Sequence, residues 1–222
     1  MSSPVASAGV LKAYVDRVVK QTHDVPTKRR KTLDAIAASI GKQLESHGKT
    51  AVLFVCTHNS RRSQFAQVWA HAAARYYGVK SVQFWSGGTE ATAANIRTVK
   101  ALRRAGFTIE AKKIAANPIY TVTQPGGKRA FRMFSKVYWD KANPQSRFVA
   151  VMCCGDADRK CPVVKGAAAR FSLHFVDPKV SDGTPKENET YDERCRQIAV
   201  EMFYLLSRIK RRGKSQRPAS PR

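Results

Sequence analysis

Apolar residues recur along this chain with two different periods, and the change of period divides the sequence into regions. Within residues 1–48 they follow helical spacing, which predicts a helix over 7–21 and, after Pro26, a second helix that Thr27 caps and that ends before Gly48. The two apolar stripes consist of Val10, Leu11, Tyr14, Val15, Val18 and Val19, and of Leu33, Ile36, Ala37, Ile40 and Leu44. We expect this helical extension to pack on the rest of the chain or on a second copy of it.

From Thr50 onward, short apolar runs alternate with longer amphipathic segments. The apolar runs predict strands at 51–55, 81–86, 148–153 and 171–175. The amphipathic segments predict helices at 63–77, 93–105 and about 188–211, and glycines follow the first two of them at Gly78 and Gly106. Such alternation is typical of an α/β fold, a parallel sheet flanked by helices that binds its ligand beyond the carboxyl ends of the strands. We therefore predict one domain of this kind over 49–208.

Two segments interrupt or follow this alternation. Within the insertion 114–145, residues 120–123 and 130–134 flank Gln124-Pro125-Gly126-Gly127 and predict a β-hairpin. Its aromatic residues are expected either to form a flap over a site at the strand ends or to make a local core. Residues 209–222 are rich in Arg, Lys, Ser and Pro and contain no acid, which predicts a disordered basic tail.

Charge and cysteine content narrow the classes of function. The 222 residues carry a formal net charge of +24, which steers small oxyanions and also attracts nucleic acid, for which the basic tail offers a contact surface. No recognised nucleic-acid-binding motif accompanies the charge. No apolar run approaches the roughly 20 residues of a membrane span, and the N-terminus lacks a secretory signal pattern. We expect a cytoplasmic protein without a membrane partner, whose five cysteines serve catalysis rather than a disulfide scaffold.

The sharpest chemical signal lies at the end of the first predicted strand. Cys56 is followed by five residues and then by Arg62 and Ser63, where a helix begins. Loop amides and a helix N-terminus form a nest for an anion, and the planar fork of an arginine binds two oxygens of a tetrahedral one. That field favours ionisation of Cys56, which makes its sulfur a nucleophile. The alternative is a buried strand-end cysteine that precedes an ordinary basic helix start.

This loop resembles that of the low-molecular-weight protein tyrosine phosphatases and of the thioredoxin-coupled arsenate reductases, which share one fold. Two further segments of that family follow in the same order. Residues 151–162 are similar to the redox segment of the reductases, and Phe175-Val176-Asp177-Pro178 is similar to the acid loop of both branches. The resemblance covers roughly residues 50–208. It implies the low-molecular-weight phosphatase fold behind a helical extension, and we expect neither a metal nor a cofactor.

The resemblance also implies roles for individual residues. Cys56 would attack the oxyanion, Arg62 would stabilise the developing charge, and Asp177 would protonate the leaving oxygen. Cys154 and Cys161 match the second and third relay cysteines, which would pass a disulfide outward to a thioredoxin-like reductant. The residues of the loop and its support are Thr57, His58, Asn59, Ser60, Arg61 and Ser63. Among these, Asn59 resembles the residue that braces the loop, and Ser63 the hydroxyl that hydrogen-bonds the thiolate. The remaining cysteines, Cys153 and Cys195, are expected to be core or helix-face thiols.

Four positions depart from the family pattern. His58 replaces the usual glycine, so we expect strain or an altered loop conformation at a position that often needs positive φ. Arg61 replaces a second loop cysteine, and we expect its side chain to point to solvent rather than towards the anion. Lys179 replaces a tyrosine that holds the substrate ring in the phosphatases, which weakens the phosphotyrosine alternative. Gln67 replaces an acidic group near Ser86, so no potassium site is predicted.

Three functions therefore remain open. We favour an arsenate reductase that uses a three-cysteine relay, with arsenate as substrate and a thioredoxin-like dithiol as partner. The second alternative is a low-molecular-weight protein tyrosine phosphatase that hydrolyses phosphate monoesters, including a phosphoprotein, through a phosphocysteine intermediate. The third is a basic, non-catalytic binding module.

Overall fold

A computed structural model describes residues 4–124 and 130–215, and for residues 4–7 and 210–215 it describes the backbone alone. In chain order its elements are α1 (Pro4–Gln21), a 3-10 turn (Thr22–Asp24), α2 (Thr27–His47), β1 (Thr50–Cys56), α3 (Arg62–Tyr77), β2 (Val82–Gly88), α4 (Ile96–Arg104), β3 (Thr108–Ala111), β4 (Tyr120–Thr123), β5 (Ala130–Met133), β6 (Phe148–Met152), α5 (Gly155–Lys160), β7 (Ala167–Ser172), a second 3-10 turn (Pro178–Ser181) and α6 (Glu187–Ser215).

The main sheet has four parallel strands in the order β2-β1-β6-β7. Its two central strands are apolar and almost wholly buried, as strands that are covered on both faces must be. Because all four strands run in one direction, the segments that follow them meet at one edge of the sheet. The predicted parallel sheet flanked by helices is confirmed, and with it the edge at which a site is expected.

The fourth strand lies earlier in the sequence than its apolar pattern predicted. It comprises Ala167–Ser172 instead of 171–175, because it pairs with β6 from Phe148 opposite Ala167 to Met152 opposite Ser172. Leu173 and Phe175 are nevertheless buried, in the segment beyond the strand. Their apolar character reflects burial in the core, which does not require a strand.

The helical extension packs on its own chain. Leu33, Ile36 and Ile40 of α2 are fully buried, where α2 meets α6 and the sheet, and Tyr14 of α1 stacks on Trp69 of α3 with ring centroids 5.1 Å apart. The cap prediction is wrong by one residue: Thr27 is the first helical residue, and Pro26 precedes it with φ −59° and an extended ψ of 146°. The fixed φ of proline suits the start of a helix, and the Pro26 carbonyl accepts the first helical hydrogen bond from Arg30 N at 2.9 Å, without a side-chain cap.

The predicted hairpin is confirmed by antiparallel pairing of β4 with β5, and its turn residues Pro125, Gly126 and Gly127 lie outside the described residues. The hairpin joins β3 in a separate three-stranded antiparallel sheet. Phe131 of β5 stacks on His71 of α3 with centroids 4.0 Å apart, and Val122 of β4 is fully buried. These contacts make a local core against α3, which is one of the two arrangements that the sequence left open.

The last helix is longer than the sequence pattern predicted. Helix α6 continues to Ser215, so residues 209–215 are helical where disorder was expected, and 216–222 lie outside the described residues. Arginine and lysine are good helix formers, and the first proline of this segment is Pro218. None of the helices in the described part of the chain is both long and apolar enough to cross a membrane.

Candidate active site

The end of β1 places Cys56 at the carboxyl edge of the sheet. Its side chain is 3% exposed, and its sulfur lies 3.0 Å from the hydroxyl oxygen of Ser63. The amide nitrogen of Asn59 donates to the same hydroxyl oxygen at 2.9 Å. An amide NH₂ can only donate, so Ser63 accepts from Asn59, and its own proton is left free to point at the Cys56 sulfur. A hydroxyl at this place can donate to a thiolate, which is the nucleophilic form of a cysteine.

Asn59 carries the unusual backbone of the loop. It has φ +46°, whereas His58 is not among the described residues with positive φ, so the strain expected at His58 is absent. Asparagine tolerates the left-handed region better than most residues. Its side chain also accepts from the backbone N–H of Lys136 at 3.1 Å, which ties the loop to the segment after the hairpin. The histidine is exposed, and its Nε2 lies 3.4 Å from a carboxylate oxygen of Glu90.

The carbonyl groups of the loop all turn outward to partners. The carbonyls of Thr57, His58 and Ser60 accept from Glu90 N (2.9 Å), Ser135 Oγ (2.8 Å) and Asn95 N (3.0 Å), respectively. The side chain of Gln64 donates to the carbonyl of Asn59, and a backbone N–H of α3 donates to the carbonyl of Arg61. By contrast, no hydrogen bond in the described part of the chain uses the N–H groups of residues 58–61. A loop whose carbonyls are satisfied outside and whose amides are free has the polarity of an anion nest.

Arg62 and Asp177 meet although 115 positions separate them in the sequence. Arg62 Nη2 donates to Asp177 Oδ2 at 2.7 Å, and Nη1 donates to the carbonyl of Phe175 at 3.2 Å. Its Nε is buried and has no partner among the described residues. The other oxygen of Asp177 accepts from Lys179 N at 3.1 Å, which begins the second 3-10 turn. The predicted acid loop therefore lies against the predicted anion loop.

The prediction for Arg61 is wrong, because its side chain is only 12% exposed. Its Nε donates to the hydroxyl of Tyr191 at 2.8 Å, and Nη2 lies 3.3 Å from Asp182 Oδ2. It also lies 3.9 Å from Asp177 Oδ1. Two carboxylates and a tyrosine hydroxyl compensate the guanidinium for the loss of water, which is why it turns inward. Burial and the hydrogen bond to Asp182 raise the pKa of Tyr191 to about 12.

Three residues that support the acid loop were not predicted from the sequence. Asp182 and Tyr191 hold Arg61 beside Asp177. From the helical extension, Arg29 donates to the carbonyl of His174 at 2.9 Å and lies over the ring of Phe175 at 4.9 Å, while it pairs with buried Glu201. No local motif marks any of them, since each acts across more than one element of the fold.

Cys154 and Cys161 lie at the two ends of the short helix α5, and both are free thiols. Cys154 is buried next to the loop, with its sulfur 3.4 Å from Thr57 Oγ1. Cys161 is 8% exposed, and its carbonyl accepts from Arg170 at 2.9 Å. A rise of about 1.5 Å per residue places the two Cα atoms about 10 Å apart, beyond the roughly 7 Å that a disulfide spans. A bond between them therefore requires α5 to unwind.

The two other cysteines lie in the core. Burial raises the pKa of Cys153 well above its usual value, and it raises the pKa of Cys195 to about 12. The indole nitrogen of Trp69 donates to the Cys195 sulfur at 3.2 Å. Near the loop, Ser86 donates to Gln67 at 2.6 Å, a neutral pair without a carboxylate. Within the described residues, no cluster of three His, Cys, Asp or Glu side chains could hold a metal ion.

Comparisons with known proteins point to one family. Residues 51–122 match the family model described as low molecular weight phosphotyrosine protein phosphatase, a range that contains Cys56 and Arg62. An arsenate reductase of Bacillus licheniformis is 29% identical over 151 residues, 67% of this chain and 88% of that protein. An arsenate reductase of Bacillus subtilis is 29% identical over 145 residues, 65% and 86% of the two chains.

Solved structures of two proteins are also similar to this chain. A low molecular weight protein tyrosine phosphatase from T. tengcongensis has 18% identity and a TM-score of 0.48, with 72% of this chain and 99% of that chain covered. An arsenate reductase in the phosphate binding state has 16% identity and a TM-score of 0.44, with 72% and 98% covered.

Proposed function

The chain belongs to the low-molecular-weight protein tyrosine phosphatase superfamily, a family of enzymes, and from this membership we propose that it is a thiol-dependent arsenate reductase. The observation that carries the proposal is the placement of a second free thiol beside the Cys56 loop and of a third at the other end of the same short helix. Cys154 contacts Thr57 of that loop, and Cys161, which is also buried, lies at the far end of α5. Relatives named arsenate reductase support the same activity.

The first step is the capture of the oxyanion. The free amides of residues 58–61 and the unpartnered Nε of Arg62 supply donors for the oxygens of arsenate. The Cys56 thiolate, held by Ser63, attacks arsenic, and one oxygen leaves as water after protonation by Asp177. An oxyanion that binds the guanidinium group of Arg62 competes with Asp177 for this group. The carboxyl group of Asp177 is thereby released to face the leaving oxygen.

The second and third steps transfer two electrons. Cys154 attacks the sulfur of Cys56, the sulfur–arsenic bond breaks, and its electron pair remains on arsenic, which departs as arsenite. The product is a disulfide between Cys56 and Cys154. Cys161 then attacks Cys154, which releases Cys56 as a thiolate and leaves the disulfide between Cys154 and Cys161. A thioredoxin-like dithiol would reduce that disulfide and so close the cycle.

Mapping of the disulfide after one turnover tests this scheme. Protein that is mixed with one equivalent of arsenate, quenched in acid and alkylated should yield a peptide with a disulfide between Cys154 and Cys161. Cys161→Ser should instead accumulate the bond between Cys56 and Cys154, because the third thiol is missing. If both proteins release arsenite yet contain no disulfide at Cys154, the relay is wrong.

A phosphatase is the second candidate, because Cys56, Arg62 and Asp177 form a complete set without the relay cysteines. In that reaction water hydrolyses a phosphocysteine intermediate, and the substrate is a phosphate monoester such as a phosphoprotein. Lys179 is exposed at the position of the substrate-holding tyrosine, which supports the reductase over a phosphotyrosine enzyme. Nucleic-acid binding by the basic C-terminal segment stays a prediction, and we interpret the charge of +24 as steering of anions.

Replacement of Asp177 by asparagine tests whether this residue acts as a general acid or only supports the structure of the loop. Hydrolysis of an aryl phosphate with a poor leaving group is expected to fall about 100-fold or more, and hydrolysis of one with a good leaving group much less, because only the first needs a proton in the transition state. The measurement is kcat/KM over a series of leaving groups, with Asp192→Asn, an exposed carboxylate paired with Arg104, as the matched control. Equal losses for all leaving groups would contradict the role.

A further inference from the structure

A second cavity lies away from the cysteine loop. It is a cleft of about 1050 Å³ between α3, the outer edge of β2 and the hairpin of β4 and β5. Apolar side chains, among them Phe84, Phe131 and Phe134, form much of its wall. None of the residues proposed for the reductase reaction lines it. Its size is at the upper end of small-molecule sites, which measure about 300–1,000 Å³.

One charged side chain of this cleft lacks a counterion. Lys136 is only 3% exposed, and no carboxylate of the described residues lies within ion-pair distance of its Nζ. The contact described for its ammonium group is the ring of Phe134, whose centroid lies 4.4 Å from Nζ. Burial lowers the pKa of Lys136 to about 8. The charge of nearby Arg132 also lowers this pKa, whereas the charge of Asp140 raises it. A buried, unpaired ammonium opposes folding, so its presence points to a role in binding.

A second donor of the cleft is also unused. The indole Nε1 of Trp85 on β2 is buried and has no hydrogen-bond partner in the described part of the chain. A buried donor without an acceptor is costly and rare in native proteins. Both groups are donors, so a ligand that pairs with them must bring acceptors, and preferably negative charge.

We propose that this cleft binds an organic anion of small-molecule size, in addition to the oxyanion site at Cys56. Its acidic group, a carboxylate or a phosphate, would accept from Lys136 and Trp85, and its apolar body would pack against the phenylalanine rings. The site is coupled to the loop by the backbone, because the N–H of Lys136 donates to the side chain of Asn59 at 3.1 Å. A ligand that displaces Lys136 would therefore act on the residue that orients Ser63.

The fluorescent anion 8-anilinonaphthalene-1-sulfonate is a suitable probe, since it joins an acidic group to aromatic rings. We expect saturable binding of one probe per chain. Lys136→Met should weaken it about tenfold, because a charge-assisted hydrogen bond is lost, and Trp85→Phe should weaken it about threefold, because only a neutral one is lost. Lys141→Met removes the same charge from an exposed position nearby and should change the affinity less than about twofold.

Competition identifies the acidic group: displacement of the probe by ATP indicates a phosphate ligand, and displacement by decanoate indicates a carboxylate. The proposal is overturned if the probe does not saturate, if Lys136→Met binds it like the parent, or if Lys141→Met loses as much affinity.

Methionine fills the volume of the lysine stem without its charge, so Lys136→Met is expected to melt about 2 °C higher or more. Should that variant fold poorly, Trp85→Phe decides, and unchanged binding there contradicts the site.

Discussion

Cys56→Ser is expected to abolish arsenate reduction and aryl phosphate hydrolysis together, with a loss of at least about 10⁴-fold in kcat, as when other covalent nucleophiles are removed. A serine hydroxyl is scarcely ionised near neutral pH, so the nucleophile disappears although the loop and its anion-binding amides remain. The substitution exchanges sulfur for oxygen, and Cys56 is buried beside Ser63, so the fold should persist. Steady-state rates with both substrates, together with a thermal melt, provide the measurement.

Cys195→Ser is the matched control for that experiment. The same exchange of atoms occurs there in the core, 3.2 Å from the Trp69 nitrogen and outside the site. We expect this variant to keep its turnover and at most to lose some stability. Undiminished turnover of either substrate by Cys56→Ser would mean that another group is the nucleophile.

Cys154→Ser and Cys161→Ser are each expected to reduce multiple-turnover arsenate reduction with thioredoxin to less than about 1%, since only a thiol can carry away the two electrons. Hydrolysis of a small aryl phosphate should stay within about threefold of the parent, because water resolves a phosphocysteine intermediate. The two activities must be measured on the same preparations. A loss in one activity without the other then cannot be attributed to unfolding.

The opposite result would change the assignment of the enzyme. If both variants reduce arsenate like the parent, the two thiols serve the structure of α5, and the phosphatase takes precedence. If Cys154→Ser loses both activities, its contact with Thr57 supports the loop itself, and the effect on reduction is indirect. A pattern in which only reduction is lost is unique to the relay.

The relay also sets a conformational requirement on α5. Arg170 holds this helix from outside, since it donates to the carbonyls of Asp158 and Cys161. Asp158 in turn accepts from Ser172 at 2.6 Å and lies 2.7 Å from a ring nitrogen of His174. Six residues make less than two turns, so few helical hydrogen bonds have to break when the two cysteines approach. The anchors on β7 and beyond it would keep the unwound segment close to the sheet.

Local sequence determined the features of this protein that depend on neighbouring residues. The alternation of apolar runs and amphipathic segments predicted the strands β1 and β6, and glycines marked the ends of α2 and α3, since both signals arise within a few positions. The turn chemistry predicted the hairpin in the same way. The spacing of Cys56 and Arg62 placed both at the junction of β1 and α3, where the structure has them.

Only the tertiary structure decided where distant segments meet. The start of β7 follows from its register against β6, and the inward turn of Arg61 follows from Asp182 and Tyr191, more than a hundred positions away. The support of the acid loop by Arg29 depends on how α2 packs, and the burial of Lys136 depends on where the hairpin lies. Register, counterions and burial are properties of pairs of segments, and a periodicity along one segment cannot specify its partner.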